Sequence, residues 1–306
     1  MKISIIATLY YSENYIQEFY ERIVKAVTIV TSDYEFIFVN DGSPDNSLLT
    51  ALQIQQSDQK VVVVDLSRNF GHHKAIMTGL QFSTGEYIFL IDTDLEEDPE
   101  LFNVFWQELE VEEGHDVVYG IQVNRKGNLL ERISGKIFYY FFSFLSEVYY
   151  PADTLTARIM SRRYVDNLLK YKEKEIDIWG LFVLNGFNQK AVKVHKKSKG
   201  SSTYTFKKKL NMAIDSITSL SNRPLYYIFV LGVLIIFISM IGIVYILFQK
   251  AVYKSEVEGW ASILFSLFFI GGLIMFTLGI IGIYLSKIFM EIKNRPLTII
   301  KNVYKS

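Results

Sequence analysis

Phe89-Leu90-Ile91-Asp92-Thr93-Asp94-Leu95-Glu96-Glu97-Asp98-Pro99-Glu100 is the stretch whose reading decides the fold. An apolar run of strand length drives straight into two carboxylates one residue apart. A strand that ends this way at the carboxyl edge of a parallel sheet can hold a hard divalent cation and, through it, a diphosphate. Asp-x-Asp also arises in ordinary acidic turns, so its meaning depends on its surroundings. Asp98 before Pro99 reads as the cap of a following helix. Glu96 and Glu97 read as solvated.

Working outward, strand-like runs rich in Val and Ile lie at 3–9, 35–40, 60–66, 87–91 and 116–119. Helical patterns separate them at 13–30, 45–56, 73–82 and 99–112. Such alternation predicts an α/β domain with a largely parallel sheet. Ligands of such sheets bind at the carboxyl ends of the strands. Polar clusters stand just after three of the strands: Asp41-Gly42-Ser43, Ser67-Arg68-Asn69-Phe70-Gly71, and Asp92-Thr93-Asp94. Each has a plain reading as well. Asp41-Gly42-Ser43 makes a tight turn, Asp45 a helix cap, and Arg68 a surface charge. His72 and His73 read as loop residues rather than metal ligands. Three clusters on one rim are more specific than any one of them.

The 306 residues carry a net charge of +0 and are 50% hydrophobic. That length fits one catalytic domain with something added. Neutral charge argues against general nucleic-acid binding. The chain has no cysteine, which excludes disulfide and thiolate chemistry and removes zinc's usual soft ligands. No cleavable signal peptide is expected, because Met1 leads directly into a strand-like run.

Two uncharged apolar runs, 225–248 and 261–286, dominate the C-terminal third. Each exceeds the roughly 20 residues that cross about 30 Å of hydrocarbon. Gly232, Gly242, Gly271, Gly272, Gly279 and Gly282 permit close helix packing there. Lysines and arginines flank the pair on its outer sides, at Lys207, Lys208, Lys209 and Arg223, then Lys287, Lys293, Arg295, Lys301 and Lys305. The bias places both termini in the cytoplasm, in a multi-pass protein of the cytoplasmic membrane. The expected organisation is a catalytic domain at 1–200, a basic juxtamembrane segment at 201–224, two transmembrane helices at 225–286, and a basic cytosolic tail at 287–306.

Thr8-Leu9-Tyr10-Tyr11-Ser12-Glu13, Val39-Asn40-Asp41-Gly42-Ser43-Pro44-Asp45, Leu66-Ser67-Arg68-Asn69-Phe70-Gly71 and the run from Asp92 to Glu100 together resemble the family 2 inverting glycosyltransferases of GT-A fold. More narrowly, the chain resembles the polyprenyl-phosphate glycosyltransferases, relatives of dolichol-phosphate mannose synthase, and does so over nearly its whole length. The resemblance implies that Thr8, Tyr10, Glu13, Asp41, Ser67, Arg68 and Asp92 line the nucleotide-sugar site. Asp41 would contact the base or ribose, and Asp92 the ribose and diphosphate. Asp94 would ligate Mg²⁺ or Mn²⁺ between the phosphates.

One departure stands out. The resembling group carries Gly-Asp-Phe-Arg-Leu-Met where this chain has Thr154-Leu155-Thr156-Ala157-Arg158-Ile159-Met160, preceded by Asp153. Arg158 and Met160 match, and both Arg158 and Asp153 are candidates for the catalytic set. Thr156 occupies the position of the Asp proposed as base. A phosphate acceptor is already anionic and needs no base, only positioning and charge neutralisation. A sugar hydroxyl would need one, and Asp153 or Asp177 would have to supply it.

The basic, hydroxyl-rich segment with Lys196, Lys197, Lys199, Ser201, Ser202, Lys207, Lys208 and Lys209 suits an anionic lipid headgroup, or simply fixes topology. Lys199, Ser201, Ser202 and Lys207 to Lys209 are the acceptor-binding candidates. The aromatic run at 133–150 fits an amphipathic helix on the bilayer surface, a core helix, or a subunit contact in a homo-oligomer. Residues 206–220 form a second interfacial candidate.

The sequence thus points to a hexosyltransferase that uses a nucleotide sugar, with UDP-glucose favoured, and a polyprenyl phosphate. A transferase acting on a hydroxyl of a lipid-linked oligosaccharide is the alternative. A membrane protein that binds nucleotide sugars without turnover is the non-enzymatic one.

Overall fold

The computed structural model describes residues 1–111, 114–122, 154–195, 221–253 and 259–305, together with positions 145, 214, 217 and 218. The chain divides into two compact units. One contains Met1–Gly135, Tyr149–Tyr204 and Arg295–Ser306; the other contains Lys136–Val148 and Thr205–Asn294.

The first unit is built on β1 (Ile3–Leu9), α1 (Ile16–Thr28), β2 (Tyr34–Asn40), α2 (Ser47–Ser57), β3 (Val61–Leu66), α3 (His72–Phe82), β4 (Tyr87–Leu90) and α4 (Leu101–Val111). It continues through β5 (Val117–Gln122), β6 (Thr154–Ser161), α5 (Arg162–Leu168), α6 (Ile178–Leu184), β7 (Gln189–Val194) and finally β8 (Ile300–Tyr304). These strands form one sheet in the order β7-β5-β6-β4-β1-β2-β3-β8. The central β4-β1-β2-β3 block is parallel. β6 enters antiparallel between β4 and β5, and β8 runs antiparallel along β3. The sheet is therefore mixed, with a parallel block of four strands in the centre and a parallel β5–β7 pair at one edge.

Alternation along the strands builds two cores. Phe36 and Phe38 of β2 point to one face, where they meet Phe19, Ile23, Ile54 and Phe102 of α1, α2 and α4. Ile37 and Val39 point to the other, against Ile76 and Leu80 of α3 and Tyr164 of α5. Strands buried on both faces need apolar residues at successive positions, which is why their sequences read as continuous runs. Truncating a fully buried ring such as Phe36 to alanine costs about 3–5 kcal/mol. Gly79 lets α3 lie close on β1, since a Cβ there would meet Ile6 Cγ2 at 2.5 Å.

The second unit contains α7 (Arg223–Tyr253) and α8 (Trp260–Ile292). Among the described residues, Ser266–Ile292 is long and apolar enough to cross a membrane, and Arg223–Ile235 is a shorter apolar helical stretch. The Tyr284 hydroxyl donates to the Ser221 carbonyl at 2.6 Å, which ties α8 to the residues just before α7. Nearly all of the aromatic run at 133–150 and of 206–220 lies outside the described residues.

Candidate active site

The carboxyl ends of β1, β2, β3 and β4 bring four loops to one rim. After β1, Tyr11 sits in the left-handed region at φ 54, and after β4, Leu95 does so at φ 59. Bulky residues are rare there, and such strain collects where a fixed geometry is needed. Tyr11 holds its turn by donating its backbone N–H to Ser43 Oγ at 2.8 Å. Tyr10 and Tyr11 stand exposed at the rim, edge to face, with ring centroids 4.8 Å apart.

The loops after β2 and β3 interlock. Asp41 is buried and accepts the backbone N–H groups of Phe70 at 2.7 Å and Gly71 at 3.0 Å. Burial pushes its carboxyl above the ordinary value, against the pull of those two N–H groups. Gly42, at φ 59, lies so close to the second loop that a Cβ would meet Arg68 C at 2.4 Å and Asn69 N at 2.5 Å. Only glycine fits both demands. Ser67 and Arg68 are exposed, and the Arg68 guanidinium lies 4.1 Å from the centre of the Phe70 ring. Asp41 thus organises the loop that carries Ser67 and Arg68.

Asp92 is the hub of the third cluster. Thr156 Oγ1, on β6, donates to Asp92 Oδ2 at 2.7 Å. His72 Nε2, in the first turn of α3, lies 3.4 Å from Asp92 Oδ1. The other ring nitrogen of His72 is 3.1 Å from Thr8 Oγ1, at the end of β1. Thr93 Oγ1 donates to the Thr8 carbonyl and to Ser12 Oγ, both at 3.0 Å. Two side chains from distant segments therefore meet the Asp92 carboxylate, and His72 and Thr93 link it on to the end of β1. Asp94 is half-buried and accepts the Glu96 N–H at 3.0 Å.

Several expectations change here. Glu97 is not solvated. It is 1% exposed, and its two oxygens accept the backbone N–H groups of Thr156 at 3.1 Å and Ala157 at 2.7 Å. A buried carboxylate persists when its oxygens are hydrogen-bonded, and these bonds fix Thr156 opposite Asp92. His72 and His73 are not loop residues but open α3. Asp98, expected as the cap of the next helix, in addition pairs with Arg22 at 3.0 Å.

Asp45 is not the cap of α2, whose N-cap is Asn46; one residue earlier, its carboxylate accepts from Ser43 Oγ, Ser47 N, Ser47 Oγ and Glu13 N. The Glu13 carboxylate accepts the backbone and side-chain N–H groups of Asn46. Asp177 is buried as the N-cap of α6, where it accepts the Gly180 N–H. Arg158 is 1% exposed, and its guanidinium lies 3.5 Å from the Phe182 ring centre. It donates to the carbonyls of Thr156 at 3.3 Å and Leu155 at 3.1 Å. Burial lowers its pKa to about 10, while the negative charges of Glu97 and Asp92 act to raise it. Arg158 thus braces β6 from within the core and does not reach solvent.

Thr8, Asp41, Asp92, Asp94, Ser67 and Arg68 are thus gathered on the rim, with Tyr10 beside them and Glu13 turned to Asn46. Asp153, Lys199, Ser201, Ser202, Lys207, Lys208 and Lys209 lie outside the described residues. The sequence does not single out His72 and Glu97, which the structure places against Asp92 and Thr156. Their partners lie on distant strands, so only the position of His72, next to the Gly71 turn, could have signalled it.

Residues 4–169 match the family model described as glycosyl transferase family 2. The chain belongs to glycosyl transferase family 2. It is a glycosyltransferase, and its α/β unit is of GT-A type. The chain is 44% identical over 306 residues to a protein of Mycobacterium tuberculosis (strain CDC 1551 / Oshkosh) named as a glycosyltransferase, covering 100% of this chain and 89% of that one. It is 33% identical to the uncharacterized glycosyltransferase YkcC of Bacillus subtilis, covering 99% and 94%. It is 29% identical to the SfII prophage-derived bactoprenol glucosyl transferase of Shigella flexneri, covering 100% and 99%. Transferases of GT-A fold commonly use a divalent cation. Asp92 and Asp94 have the right chemistry, because a hard cation takes carboxylate oxygens and completes its shell with phosphate and water.

Proposed function

We propose that this family 2 transferase moves glucose from UDP-glucose to a polyprenyl phosphate on the cytosolic face of a membrane, with inversion at the anomeric carbon. The observation that carries the acceptor choice is Thr156. A hydroxyl that donates to Asp92 stands where the resembling group places its carboxylate base. A phosphate monoester oxygen is a nucleophile near neutral pH without proton removal, so a site for it needs orientation and positive charge rather than a base. The full-length likeness to bactoprenol glucosyl transferases supports the same acceptor class and the same sugar.

In this reading the tyrosines after β1 and the interlocked Asp41 and Arg68 loops receive the nucleotide. Asp94, with Asp92 beside it, would hold Mg²⁺ or Mn²⁺. The cation, when bound, neutralises charge on the departing diphosphate. Thr156 and His72 fix the rotamer of Asp92, and Glu97 fixes Thr156. Lys199, Ser201, Ser202, Lys207, Lys208 and Lys209 would meet the lipid phosphate beside the bilayer.

The membrane part is read as a two-span hairpin of α7 and α8 in a multi-pass protein, both termini cytosolic. Chain connectivity supports it. The chain leaves the catalytic unit before α7 and rejoins its sheet as β8, so it crosses a bilayer an even number of times.

The test is a product assay. Purified full-length protein is given a panel of labelled nucleotide sugars and undecaprenyl phosphate, and the lipid product is identified by mass. A glucosylated lipid phosphate is expected. The same assay on Asp153→Asn and on a Lys207, Lys208, Lys209 triple alanine variant separates the acceptor classes. The lysines should matter for a lipid phosphate. Loss of about 10²-fold or more in Asp153→Asn, with nucleotide binding intact, would show a hydroxyl acceptor instead.

A further inference from the structure

After α8 the chain turns at Asn294 (φ 43) and runs back into the catalytic sheet. Leu297 packs against the core on the α3 face. Thr298 Oγ1 lies 2.9 Å from Thr78 Oγ1 of α3. The Ile299 carbonyl then accepts the backbone N–H of Ser67 at 2.9 Å. From Ile300 the tail pairs with β3, Asp65 opposite Asn302 and Val63 opposite Tyr304. The loop that carries Ser67 and Arg68 is thus bonded at its first residue to the segment that follows the last membrane-unit helix.

A second connection runs through side chains. Asp65 is 2% exposed. Its Oδ1 accepts Asn40 Nδ2 at 2.7 Å. Its Oδ2 has no hydrogen-bond partner among the described residues and faces Lys301 Nζ at 3.9 Å. Asn40 Oδ1 accepts the Ser43 N–H at 3.2 Å, and Ser43 Oγ accepts the Tyr11 N–H at 2.8 Å. One line of polar contacts therefore joins Lys301 of the tail to the loops after β2 and β1. A buried carboxylate beneath a sheet rim is costly unless charge and hydrogen bonds compensate it. An apolar side chain would pack there at less cost. The reaction as described leaves Asp65 no part, so its burial needs another reason.

We infer that Lys301, acting through Asp65 and Asn40, is a positioning residue for donor binding. It sets the Asp41–Ser43 turn, so the tail strand completes the nucleotide site. The inference rests on reading the rim as a nucleoside-diphosphate site. In a merely structural role, Lys301 would stitch the edge strand down and leave nucleotide affinity untouched.

The experiment uses full-length protein in detergent. UDP binding is measured by calorimetry, and KM and kcat with UDP-glucose are measured alongside, for wild type, Lys301→Ala, Lys301→Arg, Asp65→Ala and the exposed control Lys305→Ala. Lys301→Ala should raise the UDP Kd about three- to fivefold, as for a partly exposed ion pair. Donor KM should follow, and kcat should stay within about twofold. Lys301→Arg should restore binding. Asp65→Ala, which strands the Asn40 amide, should raise Kd about tenfold. Lys305→Ala should match wild type. Unchanged Kd in both Lys301→Ala and Asp65→Ala, with only a lowered Tm, overturns the inference and leaves the nucleotide site standing. A wild-type protein that binds neither UDP nor GDP refutes the site reading itself, and this inference with it.

Discussion

Thr156 on β6 donates a 2.7 Å hydrogen bond to Asp92 at the end of β4, across two strands paired antiparallel. The bond occupies one carboxylate oxygen of Asp92, and His72 stands at the other. Asp92 is therefore oriented before any substrate arrives. Preorganised polar groups stabilise developing charge without reorganising during the reaction.

Thr156→Val keeps the β-branched shape that suits a buried strand and removes only the hydroxyl. We expect kcat to fall about tenfold, roughly 1.4 kcal/mol, with donor KM little changed. Thr156→Ser should recover most of the loss. Steady-state kinetics on the two variants decides it, and an unaltered kcat in Thr156→Val would remove the orienting role.

Asp94→Ala should abolish transfer, and EDTA should do the same to the wild type, with recovery on adding Mg²⁺ or Mn²⁺. Diphosphate departure needs its charge neutralised. Full turnover in EDTA would dismiss the cation.

Topology is open to direct measurement. A protease-accessible tag in the connection between α7 and α8 should report the side opposite the catalytic domain, while tags at both termini report the same side as it. A tag in that connection reporting the catalytic side would undo the hairpin.

Acid should loosen the α3 end of the first unit. Burial holds the His73 imidazole below its ordinary value, although its bond to the Ile176 carbonyl at 3.0 Å pulls the other way. A histidine whose folded pKa is depressed contributes stability above its unfolded value, near 6.5. That stability is lost as pH falls towards the folded pKa, because the unfolded chain takes up the proton first. Denaturant titrations from pH 7.5 to 5 should therefore show wild type losing its advantage over His73→Asn. A gap that widens in acid would contradict the sign.

The parallel core was legible because its strands are buried on both faces. The reading 3–9 coincides with Ile3–Leu9, and the other central strands end within a residue or so of expectation. The rim followed from that, since topology puts the residues after β1 to β4 on one edge. What the sequence hid was long-range. Residues 154–160 stand out in the sequence as a motif, and nothing local shows that they form β6, the strand inserted between β4 and β5. Glu97 looked solvated because its partners, the N–H groups of Thr156 and Ala157, lie 59 and 60 positions away. Asp177 looked like a spare carboxylate because nothing local marks it as a cap. β8 reads from sequence as a basic tail, for a short edge strand with Lys301 and Asn302 in its middle has no apolar alternation to betray it.

The lateral hydrogen-bonding groups of β3 are satisfied by a strand that the ribosome makes only after both long helices. Until then the catalytic sheet has an open edge, and an unpaired edge is a template for pairing with other chains. A product that stalls before Ile300 would carry that exposed edge. The fold thus couples completion of its α/β sheet to synthesis of the long helices that precede β8, and partial copies are the ones prone to aggregate.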